Sequence, residues 1–145
     1  MNFTRIFFVG ILIWVVSMVF NAVTCGWLFN WVYDIPPNIW KTKEQLLDVW
    51  NVIGMDFFSL INAWVFVIIY ALIYAGVPSS GIKKGILYGT FVWLVGSFAN
   101  FPPRAFFSIL SNTIIVYWVF HSLISNWLAG LIVGIWYHPK ERIEL

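Results

Sequence analysis

Charge is scarce in this sequence. Of its 145 residues only eight are Lys or Arg and six Asp or Glu, so charged residues make up 10% of the chain, where soluble domains carry about 25%. So little charge cannot cover a water-facing surface, which excludes a soluble globular domain. The net charge of +2, spread without a basic stripe, excludes a nucleic-acid partner, whose phosphates need several cations on one face. Cysteine occurs once, at Cys25, which excludes an intrachain disulfide and a cysteine-rich zinc site. No glycine-rich loop joins a strand pattern to a helix pattern, which excludes a nucleotide cradle.

Hydrophobic residues fill the space that charge leaves. They make up 61% of the chain and aromatics 21%, with ten Trp, and the mean hydropathy is +0.87. Four long intervals hold no Asp, Glu, Lys or Arg: 6–33, 57–82, 85–103 and 105–139. A membrane-crossing helix needs about 20 apolar residues to span about 30 Å of hydrocarbon, where every backbone amide must be satisfied internally. The reading is an all-α polytopic membrane protein, one transmembrane domain over 1–145, with four helices at about 5–31, 52–76, 82–99 and 112–137. Arg5 before an apolar run, with Ala22-Val23-Thr24-Cys25 after it, imitates a lipoprotein signal. Thr24 is a poor residue before that cysteine, so the segment is read as the first membrane helix.

Orientation follows from the cations near the helix ends. Arg5, Lys83, Lys84, Lys140 and Arg142 fall on the side shared by both termini, against Lys41, Lys43 and Arg104 on the other. This predicts a multi-pass protein of the cell membrane with both termini cytoplasmic, and with Lys83 and Lys84 as cytoplasmic anchors. Trp27, Trp31, Tyr33 and Trp40 at the outer end, and Tyr70, Tyr74, Trp136 and Tyr137 at the inner end, suit headgroup-level anchoring.

Each outer connection contains a proline pair, Pro36-Pro37 and Pro102-Pro103, which stops one helix or starts the next. Thr42-Lys43-Glu44-Gln45 has capping-box spacing. Amphipathic or interfacial segments are therefore expected at about 42–51 and 103–111. Overlaid without gaps at an offset of 66, nine of 51 positions match, among them Thr24 on Thr90, Trp27 on Trp93 and Pro36-Pro37 on Pro102-Pro103. The recurring order of helix, proline pair, amphipathic segment and helix predicts a duplicated two-helix hairpin.

Gly81, Gly85 and Gly89 recur every four residues and Gly96 follows near the same line. Such a stripe, with Ala129 on the last helix, predicts close helix packing in lipid. Polar residues inside the spans also share faces: Ser17, Asn21, Thr24 and Cys25; Asp56, Ser59 and Ala63; His121, Ser122, Ser125, Asn126 and Ala129. Polar groups in a bilayer turn toward partners or a wet cavity. Asn21, Asp56, His121 and Ser125 form the candidate intramembrane site, in which Asp56 and His121 would pair and exchange a proton. Asn62 lies off this face and is assigned to a helix contact.

No catalytic site, cofactor or metal is assigned. Cys25 has no base beside it in sequence, and Ser122 next to His121 lacks an orienting acid and an oxyanion hole. His121 and His138 belong at different depths, so one chain cannot hold a bis-histidine haem.

Gly81-Ile82-Lys83-Lys84-Gly85-Ile86-Leu87-Tyr88-Gly89 and Leu128-Ala129-Gly130-Leu131-Ile132-Val133-Gly134-Ile135-Trp136-Tyr137 resemble segments of small four-helix integral membrane proteins of prokaryotes. The resemblance implies a four-helix bundle and supplies no activity. The expected function is a non-catalytic membrane module, self-associating or serving as accessory subunit of a membrane complex. Its partners are then membrane lipids and either further copies or other membrane subunits. The alternatives are a small oligomeric transporter or channel using Asp56 and His121, and a lipid or quinone binder.

Overall fold

The computed structural model describes residues 2–37 and 39–139, and the described residues contain helices and turns but no strand. The helices are α1 (Phe3–Val23), α2 (Lys43–Leu46), α3 (Val49–Ile73), α4 (Gly81–Trp93), α5 (Arg104–Phe107) and α6 (Asn112–Trp136). α1 runs on through a π turn at Thr24–Leu28 and α4 through another at Leu94–Phe98. A 3₁₀ turn, Asn30–Asp34, follows the first.

Three helices are long and apolar enough to cross a membrane: Phe3–Leu28, Val49–Ile73 and Asn112–Trp136. The fourth expected span, 82–99, falls on α4, which does not meet this standard. Lys83 and Lys84 occupy its first turn, and Gly81, Gly85 and Gly89 add no apolar surface. The expected amphipathic helix at 42–51 is also shorter. Only Lys43–Leu46 coils before Asp48 caps α3 by accepting from the Trp50 amide. The capping box does form: Thr42 Oγ1 accepts from the Gln45 amide at 3.3 Å and Gln45 Oε1 from the Thr42 amide at 3.1 Å.

The two ends of the described stretch lie together, with Arg5 Nη1 donating to the His138 carbonyl at 3.4 Å. Lys140 and Arg142, two of the five cations assigned to this side, lie outside the described residues. Around this terminal end the helices share one core: Ile6, Val9 and Ile13 from α1, Ala63, Val67 and Tyr70 from α3, Tyr88 from α4, and Ala129, Ile132 and Val133 from α6. At the opposite, loop end Val32, Ile114 and Ile115 are buried, while the first half of α3 exposes Trp50, Ile53, Phe57 and Phe58.

The tightest seam joins α4 to α6 in antiparallel register. A Cβ on Gly85 would strike the Gly130 carbonyl, one on Gly89 the Asn126 carbonyl, and one on Gly134 would lie 2.7 Å from the Gly81 carbonyl. Gly81 itself has φ +54°, a conformation in which only glycine is unstrained. Trp127 Nε1 donates to Thr90 Oγ1 and Trp93 Nε1 to the Val119 carbonyl, each at 3.0 Å, and extend the seam. Gly96, expected on the stripe, has open space where its side chain would be. The π turn at Leu94–Phe98 widens the helical repeat, so the stripe rotates off the seam before Gly96. Gly130 and Gly134, absent from the expected packing set, supply the opposing face.

The order helix, π turn, proline pair, four-residue helix and 25-residue helix occurs twice. The spacing is not constant. The π turns begin at Thr24 and Leu94, the 25-residue helices at Val49 and Asn112. The gapless offset of 66 therefore aligns the proline pairs but neither of these elements.

Candidate functional site

Where the core ends, at Ile13, Ala63, Phe66 and Ala129, α1, α3 and α6 part around a cavity of about 160 Å³. Each helix contributes one serine and one asparagine: Ser17 and Asn21, Ser59 and Asn62, Ser125 and Asn126. Spacings of four and three residues place the first two pairs on single faces of α1 and α3. Asn126 donates to the Ser122 carbonyl at 2.8 Å. Among the described residues, no side-chain hydrogen bond engages Ser17, Asn21, Ser59, Asn62 or Ser125, so their donors and acceptors face the cavity unspent. α1 packs along both neighbours while α3 and α6 barely meet, which leaves the cavity open between those two. The pocket is neutral, rich in amide and hydroxyl groups, and lies near the middle of the candidate spans.

One turn from Ser125 toward the loop end, His121 belongs to a second cluster. Its Nε2 lies 2.9 Å from Thr24 Oγ1 and 3.5 Å from Cys25 Sγ, and the Tyr117 hydroxyl lies 3.2 Å from the same sulfur. Thr24 Oγ1 also lies 2.6 Å from the Phe20 carbonyl. Which of Thr24 Oγ1 and His121 Nε2 donates follows the imidazole tautomer. The ring stacks on Phe20 with centroids 4.8 Å apart. Tyr33, on the following 3₁₀ turn, packs edge-on against Tyr117 and Trp40. Burial, followed by the neighbouring Cys25 thiol, pushes its phenol above the ordinary value.

The structure brings Asn21 and Ser125 together in the cavity, with Ser59 and Asn126 from the same predicted faces. His121 lies beside the cavity, bonded to Thr24. Asp56 does not join them. It is half-buried in the first half of α3, outside the cavity lining, and among the described residues no hydrogen bond or ion pair links it to His121. Asn62, assigned by sequence to a helix contact, lines the cavity instead. Its spacing of three from Ser59 was the available signal, outweighed by choosing Asp56 as the reference for the face.

At the terminal end Lys84 is buried. Its Nζ donates to the Tyr74 carbonyl at 2.8 Å and stands 4.0 Å from the centre of the Tyr74 ring. It ties the end of α3 to the start of α4, a more specific role than the anchor expected. Trp27 and Trp31 remain exposed, as headgroup-level anchors would be.

No protein family, curated protein or solved structure matches the chain. The functional reading therefore rests on the cavity and the clusters around it.

Proposed function

We propose that this protein is a non-catalytic membrane module that associates within the bilayer through the polar cleft between α3 and α6. Four crossings are proposed: the three apolar helices and α4, the last carried by its seam with α6 and by Lys84 donating to the Tyr74 carbonyl. The contact between Arg5 and His138 suits an even number of crossings, and the cation count supports cytoplasmic termini. The twice-repeated order of elements supports a duplicated hairpin.

The observation that carries the association reading is the row of unspent amides and hydroxyls at Ser17, Asn21, Ser59, Asn62 and Ser125, open to one side. In hydrocarbon such groups seek partners on another helix. A second copy or an accessory subunit would supply them, covering the exposed half of α3 at the same time. Interhelical polar contacts in bilayers contribute about 0.6 kcal/mol each and at most about 1.7. Replacing Asn21 and Asn62 together by Leu is expected to weaken association about tenfold, read as the oligomer fraction in lipid nanodiscs across a dilution series. Unchanged association would remove the cleft from the interface.

A transporter or channel is the second reading, favoured by the same cavity, because a wet polar pocket at mid-span is also how a solute path begins. Reconstituted vesicles discriminate the two. Flux that disappears in Asp56→Asn or His121→Ala while assembly persists supports transport. Assembly without flux supports the module.

A further inference from the structure

At the loop end a second cavity, of about 340 Å³, opens between α6 and the stretch 102–105. Pro102 and Ala105 line it from that stretch, and Ile115, Val116, Val119 and Phe120 line it from α6. These walls are almost all carbon, in contrast to the cavity at mid-span. The polar residue of the lining is Asn112, at the start of α6. The groove therefore runs from a polar mouth at the loop end toward mid-span, from Asn112 to Phe120 along α6, about 12 Å.

A cation accompanies the groove. Arg104 lies in sequence between the lining residues Pro102 and Ala105. It is half-buried, its guanidinium carbon is 6.0 Å from the centre of the Phe101 ring, and among the described residues no carboxylate pairs with it. A guanidinium without a counter-charge suits a phosphate, which it can hold with two parallel hydrogen bonds. The neighbouring side chains supply a separate observation. Phe106, Phe107 and Ile109 are 91%, 76% and 78% exposed, as suits a segment lying at the boundary between headgroups and acyl chains. At that depth a phospholipid presents its phosphate and the start of its chains.

We propose that this groove seats one acyl chain of an anionic phospholipid, with Arg104 paired to its phosphate. The inference rests on the membrane placement proposed above and not on association through the polar cleft. Carbon walls suit a run of methylenes and offer a polar solute almost nothing, while Asn112 at the mouth can hydrogen-bond the ester region. An anionic headgroup is preferred over a zwitterionic one because it carries no ammonium of its own to compete with Arg104 for the phosphate.

The test offers the full chain, in mild detergent, dioleoyl phosphatidylglycerol or dioleoyl phosphatidylcholine and reads retention by native mass spectrometry. The wild type is expected to retain one phosphatidylglycerol per chain and to prefer it about fivefold over phosphatidylcholine, the weight of one basic residue near an anionic membrane surface. Arg104→Gln should lose that preference and Arg104→Lys keep part of it. Val116 is 54% exposed, so Val116→Trp can fill the groove without entering the core and should retain neither lipid. Ala105→Leu fills it from the opposite wall and should weaken retention even if the tryptophan disturbs folding. Asn21→Leu/Asn62→Leu should retain the lipid as the wild type does, which separates this site from the cleft. Tryptophan quenching in nanodiscs of brominated-chain phosphatidylcholine checks the membrane placement by itself, and absent quenching would overturn both readings. With quenching intact, equal retention of the two lipids by the wild type, a preference that survives Arg104→Gln, or undiminished retention in both Val116→Trp and Ala105→Leu would overturn the groove alone.

Discussion

Two glycines of one stripe prove opposite in the structure. Gly85 and Gly96 belong to one stripe by spacing, yet a Cβ on Gly85 runs into the Gly130 carbonyl and one on Gly96 meets nothing within 4 Å. Backbone cannot yield as a flexible side chain can, so Gly85→Ala should destabilise by about 3 kcal/mol, the upper range of overpacking. Gly96→Ala should be neutral or stabilise by up to about 1 kcal/mol through helix propensity. Melting of both variants in the same detergent measures the contrast, and equal losses would contradict the seam. Tyr33 adds a pH dependence outside the membrane-spanning segments. Its phenol is held above its ordinary value near 10 by burial, so the neutral form is favoured in the folded chain. The contribution is complete below pH 10 and is lost as pH rises toward the folded value. Alkaline unfolding should start later in Tyr33→Phe than in the wild type, as followed by near-ultraviolet circular dichroism.

The elements show which features were legible in sequence. Three apolar intervals became three helices long enough to cross, because length and apolarity are local properties. The capping box at Thr42 and Gln45 formed for the same reason. The π turns were not legible. Thr24–Leu28 meets His121, 97 residues from Thr24, and Leu94–Phe98 shifts the helical repeat around Gly96. Asp56 and His121 were paired by helix face and depth, whereas Asp56 is absent from the cavity lining and from the hydrogen bonds around His121. Depth estimates carry no information on how far two helices stand apart. The starts of α3 and α6 offer a check on local reasoning. Asp48 accepts from the Trp50 amide at 3.2 Å and Ser111 from the Thr113 amide at 3.3 Å. Asp48→Ala and Ser111→Ala should each cost about 1 kcal/mol and speed hydrogen exchange in the first turn they cap, leaving the terminal-end core unchanged.

For the whole molecule, core and cavity divide the bundle. Tyr70, Tyr88 and Tyr137 are each 1% exposed at the terminal end, locked by Lys84 and by the glycine seam. The polar side chains begin where that core stops. A packed end and a laterally open polar cleft at mid-span suit a module that presents a surface to another membrane helix. The central claim is that the cleft between α3 and α6 is this surface. The most direct measurement is native mass spectrometry of the protein released gently from its own membrane, with Asn21→Leu/Asn62→Leu beside the wild type. The account predicts a homo-oligomer or a complex with stoichiometric partner subunits for the wild type, and a shift toward monomer for the variant. A wild type that is monomeric throughout, or a variant assembled as fully as the wild type, would contradict it.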